Sequence, residues 1–223
     1  MSKELALNKN LPAQVTESDI EDLKSGGFLP YILCLGSSSD FVKDPKYDLK
    51  AGIFVMPKGG TEPENIVTLG EQITVLPLAW RWKALDFSTR PPKVSVYKES
   101  PMFQEIKNSS GQGKAWGVEF LCWFPSEETF CTLPCTSKTS RNVAGNDILP
   151  SLKNGEYHPY NLSTRFIKTE RFSWWGFDAK KSEEDVDVPD LEIIKAKVDS
   201  FMKEVEEEKN NIAEDVPEEN IPV

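Results

Sequence analysis

From Phe28 onward the apolar residues of this chain arrive in short runs, each closed by Gly, Pro, Asp or Ser, and this punctuation limits the fold more than any other feature. The runs are LPYILCLG, AGIFVMPKGG, ENIVTLG, QITVLPLAWRWKALDF, KVSVYK, AWGVEFLCWF, TFCTLPC and STRFIKTERFSWWGF. Segments this short, rich in β-branched and aromatic residues and bounded by turn formers, predict seven or eight strands. Two segments between them carry helix signals. SPMFQEIKN opens with a Ser cap followed by Pro, and TSKTSRNVAGNDILPSL has few β-branched residues. Strands and helices do not alternate regularly, so the expected class is mainly β with minor helices (α+β), built as an antiparallel barrel or sandwich. The connections at residues 36–50, 56–65 and 108–114 are long and polar, and are expected to act as flexible binding fingers.

Charge divides the 223 residues unevenly. Residues 1–180 carry 21 Lys+Arg against 21 Asp+Glu, whereas residues 181–223 carry 5 against 15, so the whole formal charge of −10 lies in the last segment. The aromatic residues divide the same way, with Phe201 the one ring after Lys181. Three regions follow. Residues 1–27 are a polar lead-in broken by Pro12 and Gly26-Gly27, with a short helix expected in TESDIEDLKS. Residues 28–180 form a neutral, aromatic-rich body. Residues 181–223 form an acidic arm. Within the arm, Leu191, Ile194, Val198, Phe201, Met202 and Val205 recur three or four apart, which predicts an amphipathic helix over about 190–209. Residues 210–223 are too polar to fold alone and read as a flexible acidic tail. No run approaches the roughly 18 apolar residues that spanning a membrane requires. The opening MSKELALNKN lacks the apolar core of a signal peptide, so a cytoplasmic protein is expected.

Catalytic signatures are sparse. GQGKAW has the Gly-Lys of a phosphate loop without its spacing or hydroxyl, and His158 is the single imidazole, set in a Tyr-His-Pro-Tyr turn. Cys131 and Cys135, in CTLPC, would need Cys34 and Cys122 to complete a zinc site, and their placement in alternating apolar runs reads more simply as core thiols. Glu105 and Lys107, with Asp86 upstream, have the spacing of a Mg²⁺ nuclease site; a solvated helical face has the same spacing. No catalytic residue, metal or cofactor is assigned.

The cations are more informative because they alternate with rings. As a strand, LAWRWKALDF puts Leu78, Trp80, Trp82 and Ala84 on one face and Ala79, Arg81, Lys83 and Leu85 on the other. Read as one strand, STRFIKTERFSWWGF puts Phe166, Lys168, Glu170, Phe172 and Trp174 opposite Arg165, Ile167, Thr169, Arg171, Ser173 and Trp175. Trp174 and Trp175 are adjacent, so one of them must leave the core. Rings that stack on any base, beside cations that follow phosphates, suit sequence-tolerant binding of single-stranded nucleic acid. The expected DNA-binding residues are Arg81, Lys83, Lys98, Lys138, Arg141, Arg165 and Arg171 for phosphates, and Trp82, Tyr97 and Trp175 for bases. A detachable acidic arm would compete with polyanions for the basic groove, so truncation after Lys181 is expected to tighten binding.

The segment from Asp215 to Val223 resembles the acidic C-terminal peptide of single-stranded-DNA-binding proteins, departing at its last residue, where Val stands in place of an aromatic. The order of ELALNKNLPA, LPYILCLG, LAWRWKALDF, WGVEFLCWF and SKTSR is similar to that of phage-encoded single-stranded-DNA-binding proteins. The resemblance implies an OB-like antiparallel β-barrel that coats single-stranded DNA in phage replication or recombination, in the host cytoplasm. It also implies that replication or recombination proteins dock on Ile221, Pro222 and Val223. The arm's helix either dimerises the chain or lies back on the body. The alternatives in other classes are a phage structural or assembly protein, in which every ring is core, and the Mg²⁺-dependent nuclease.

Overall fold

The computed structural model describes residues 29–214 except 61, 110 and 112. The lead-in at 1–27 and the partner-binding residues Ile221, Pro222 and Val223 lie outside the described residues. The class is as expected: antiparallel β-sheets with few helices, α+β. Among the described residues nine strands form: β1 (Leu33–Cys34), β2 (Phe54–Pro57), β3 (Ile66–Gly70), β4 (Gln72–Asp86), β5 (Lys93–Ser95), β6 (Lys114–Phe124), β7 (Thr129–Cys135), β8 (Tyr160–Lys168) and β9 (Ser173–Lys181). The helices are α1 (Asp40–Lys43), α2 (Pro101–Asn108), α3 (Lys138–Val143), α4 (Leu149–Lys153) and α5 (Leu191–Glu214). The connection at 36–50 thus contains a helical turn.

One sheet has the order β1-β2-β3; the other runs β7-β6-β4-β8-β9, with β5 paired to the far end of β4. A single parallel bridge, Tyr31 to Thr132, joins them, and the described ladders do not close into a barrel. Between the sheets lies one core, to which β2 gives Phe54 and Met56, β6 gives Val118, Phe120, Cys122 and Phe124, and β7 gives Cys131, Leu133 and Cys135. All four cysteines are free. Burial pushes the Cys131 thiol up to about 12, as suits a core residue rather than a nucleophile.

Pro77 sets the layout of β4. It has no N–H to give the ladder, and the pairing with β6 slips by one residue between Pro77 and Ala79. This bulge breaks the expected alternation: Leu76 and Leu78 pack on the outer face, while Trp80 and Trp82 pack on the inner face against the core. Leu78 therefore does not share a face with Trp80, Trp82 and Ala84. A second correction concerns STRFIKTERFSWWGF, which is a hairpin rather than one strand. Thr169 N–H donates to Phe172 O at 2.8 Å and Phe172 N–H donates to Thr169 Oγ1 at 3.0 Å, closing a turn that needs no Gly, Asn or Pro.

The described part of the acidic arm packs on the body. α5 continues to Glu214, beyond the expected end near 209, and covers the outer face of β4 and β6. Ile194, Val198, Phe201 and Met202 pack there on Leu76, Leu78, Leu121 and Trp123. Arg81 bolts the two layers together. Its Nε and Nη2 each lie 2.9 Å from Glu119 Oε2, its Nη1 donates to Phe201 O at 2.7 Å, and its guanidinium carbon is 4.1 Å from the centre of the Phe201 ring. Lys83 pairs with the other Glu119 oxygen. Arg81 and Glu119 are cross-strand partners, so the register brings them together.

Truncation after Lys181 therefore cannot simply release a tail. It would strip seven apolar residues, Val186, Val188, Ile193, Ile194, Val198, Phe201 and Met202, from the outer face and is expected to unfold or aggregate the protein. Glu119→Ala leaves two cations facing a buried gap and is expected to lower stability by about 3–5 kcal/mol, read from the urea midpoint, whereas Arg81→Met with Glu119→Leu recovers most of that loss.

Candidate nucleic-acid interface

Beyond the core, the inner face of β4 and β6 continues into a strip of tryptophans. Trp80 and Trp82 alternate on β4, and the register sets Trp116 of β6 opposite Ala84. The Trp80–Trp82 and Trp82–Trp116 ring centres are 6.1 and 6.4 Å apart. All three indoles are half-buried. α2 closes one end of the strip, with Phe103 and Ile106 buried against Ala84. It forms where the sequence indicated, since Ser100 Oγ accepts the Phe103 N–H at 3.0 Å and Pro101 takes the first helical position. Near the other end, Leu152 of α4 packs against the same core as Trp80. Pro150 of α4 explains the π-helical turn at Ala144–Ile148 that joins α3 to α4, because its ring cannot continue a regular helix.

Cations lie over these rings. Lys153 Nζ is 5.5 Å from the centre of a Trp80 ring, Lys98 Nζ 5.2 Å from Trp82, Lys107 Nζ 5.3 Å from Trp116, and the Arg141 guanidinium 4.4 Å from Trp116. Arg141 is fixed, its Nη1 donating to Trp116 O at 2.7 Å and Thr136 O at 2.6 Å. The lysines are held by their flexible stems alone.

A second aromatic group stands on the hairpin. Its pairing with β4 ends at Gln72 and Ser163, Thr164 N–H donates to the O of Glu71 just before β4, and the segment from Arg165 to Phe172 continues past that ladder. Phe166 lies 5.3 Å from Trp175 on one face, and Trp174 is on the other, its Nε1 donating to Thr139 Oγ1 at 3.0 Å. Phe172, at 72% exposure, is at the turn beside Arg171. As expected, one member of the Trp174-Trp175 pair is at the surface, Trp174 at 38% exposure; Trp175 is half-buried beside Phe166 and outside the core clusters. Trp174, Ile167 and Arg165 line a cleft of about 360 Å³ with Thr139, Asn142 and Asn146. α3 therefore stands between the two groups, touching Trp116 through Arg141 and Trp174 through Thr139. Exposed Lys138 is at its N-terminus.

The expected site residues divide accordingly. Trp82, Lys98 and Arg141 meet on the strip; Lys138, Arg165, Arg171 and Trp175 belong to α3 and the hairpin, where Arg165 also pairs with Asp178 at 3.2 Å. Tyr97 is half-buried and follows β5. Arg81 and Lys83 are corrections: both are on the opposite face, engaged by Glu119, and Arg81 is only 8% exposed. The sequence reading did not assign Trp80, Trp116, Lys107 or Lys153 to nucleic-acid binding. The alternation in β4 already placed Trp80 beside Trp82, but Trp116 required the strand register. The three nuclease residues do not assemble as expected. Asp86 and Glu105 both face Lys114 Nζ, at 3.6 and 3.0 Å, while Lys107 lies over Trp116. Hydrogen bonds from Ser88 and the nearby Lys114 charge hold the Asp86 carboxyl below its usual range. His158 is near Glu156 at 3.5 Å, and no group of three or more His, Cys, Asp or Glu that could hold a metal forms among the described residues.

No protein-family model, curated protein or solved structure matches this chain.

The hairpin's position depends on Gly52, which has φ +83° and lies under Trp175; a Cβ there would be 2.6 Å from the indole. Gly52→Ala is expected to cost about 1–3 kcal/mol through backbone strain and to displace Trp175, lowering the Tm and changing the near-ultraviolet circular dichroism. An unchanged melt and spectrum would contradict that packing.

Proposed function

We propose that this chain is a single-stranded-DNA-binding protein whose interface is the Trp80–Trp82–Trp116 strip. One observation carries the reading: three half-buried indoles lie in a row with Lys98, Lys107, Lys153 and Arg141 over their faces. Indole faces met by mobile ammonium groups can be taken over by bases, and the displaced lysines are then placed beside the phosphates. Each stacked base contributes about 1–3 kcal/mol and any base can stack, so binding is sequence-tolerant. Lys138, the hairpin cations and the hairpin rings extend the same chemistry across α3.

The OB-type barrel is part of this proposal. Its support is that the three-stranded sheet lies across the core face of the larger one and meets it where Ile32 N–H donates to Thr132 O at 2.8 Å. The role in coating DNA during phage replication or recombination, in the host cytoplasm with protein partners at the C-terminus, is also proposed, on the sequence resemblance.

Titration with oligo-dT is expected to quench tryptophan emission and raise fluorescence anisotropy. Lys98→Glu and Lys153→Glu, both at exposed positions, are each expected to weaken binding severalfold and to lower the slope of log K against log salt by about 0.7, while the Tm falls by no more than about 4 °C. Emission and anisotropy that do not respond to oligo-dT would overturn the proposal and favour the assembly role. Degradation of the oligonucleotide in Mg²⁺ would favour the nuclease.

A further inference from the structure

We propose that the turn Ser95–Tyr97 is a phosphate subsite, and that Glu208 of α5 occupies it in the free protein as a tethered stand-in. The inference rests on the single-strand binding reading, because Lys98, the next residue, is the cation over Trp82. Glu208 Oε2 accepts the N–H of Val96 at 2.6 Å and of Tyr97 at 2.9 Å, and Oε1 accepts the hydroxyl of Ser95 at 2.5 Å. Ser95 is 1% exposed, and its Oγ is 2.7 Å from the Oγ of Ser100. Two convergent backbone N–H groups and a buried hydroxyl form the donor set with which backbone nests hold anionic oxygens. A carboxylate and a phosphodiester present the same kind of oxygen to it. Tyr97 is followed directly by Lys98, whose Nζ is 5.2 Å from the Trp82 ring, and the proposal is that a strand with one base on Trp82 places a phosphate at this turn.

The distal end of α5 can leave without uncovering the sheet. Its apolar contacts with the outer face come from Ile193, Ile194, Val198, Phe201 and Met202. Beyond Met202, the polar ties from α5 to the body among the described residues are Glu204 to Arg81 at 3.0 Å and Glu208 to the turn. The inner half of the helix is held by burial and the outer half by two carboxylates, of which Glu208 sits on donors that another anion can take. DNA that fills the subsite therefore displaces Glu208 and frees residues 205–214, while residues 191–202 stay in place.

The test compares the full chain with Glu208→Gln, and with Glu208→Gln combined with Ser95→Ala, in oligo-dT titrations. Hydrogen exchange is followed on the unaltered protein. Glu208→Gln is expected to bind about tenfold more tightly, the size of effect that one charge-assisted hydrogen-bonded contact supplies, and the added Ser95→Ala to remove most of that gain. On saturation with oligo-dT, exchange is expected to rise over 205–214 while the Val96 and Tyr97 amides stay protected. If the unaltered protein binds but Glu208→Gln binds no more tightly, or if exchange over 205–214 does not change at saturation, the subsite is overturned and the binding reading stands. A lower Tm without an affinity gain has the same meaning, that Glu208 is a structural strap. If neither protein binds, both inferences fall. The exchange measurement decides even if a variant does not fold.

Discussion

A proline in the middle of a fifteen-residue strand organises this molecule. β4 pairs with β6 from Leu76 to Asp86, but Pro77 cannot donate and the ladder slips one residue there. Without the slip, Leu76, Leu78, Trp80 and Trp82 would share one face. With it, the leucines face outward and bind α5, while the tryptophans face inward. The bulge also coincides with a gap on the opposite edge of β4, where β8 pairs only through Val75 and β5 only from Ala84. One strand thus supplies the seat of the C-terminal helix and the aromatic strip on opposite sides of one sheet.

The outer seat is held by an ion pair whose value lies more in placement than in net energy. Burying Arg81 and Glu119 costs both of them their hydration, and the pair regains this only with full hydrogen bonding. Glu119 meets that condition by dividing its oxygens between Arg81 and Lys83, and Arg81 by adding the Phe201 carbonyl and ring. The guanidinium has a single arrangement that satisfies these partners, which fixes the register of α5 on the sheet. An apolar contact alone would allow the helix to slide.

Much of the fold was legible in the sequence, and the exceptions have identifiable causes. Punctuated apolar runs gave the strands, Ser100-Pro101 gave α2, and the three-to-four spacing gave α5. The hairpin in STRFIKTERFSWWGF was read as one strand because its turn is closed by a threonine hydroxyl and main-chain bonds rather than by a residue that marks turns. Part of the candidate interface was legible as rings beside cations, so Trp82, Lys98 and Arg141 were anticipated. Arg81 and Lys83 were misplaced because alternation tells which residues share a face, not what covers that face. Glu119 and α5 cover it, and both are distant in sequence. Trp116 became a neighbour of Trp82 only through the β4–β6 register, which a single strand pattern does not contain.

Cations resting on indoles also set limits on how the strip can work. In the free protein each ring already gains from the charge above it, by roughly 0.5–2 kcal/mol depending on desolvation. On the proposed single-strand reading, a base that stacks on Trp80 or Trp82 displaces that contact, so the gain per ring is a difference between two interactions of similar size. The lysine recovers part of its loss by moving to a phosphate, and that part weakens with salt. A site built of such exchanges binds one or two nucleotides weakly and gains affinity mainly by engaging several rings in series. The proposed function therefore requires length-dependent, salt-sensitive and sequence-blind association, which the rings and their cations would produce together and neither the tryptophans nor the lysines would produce alone.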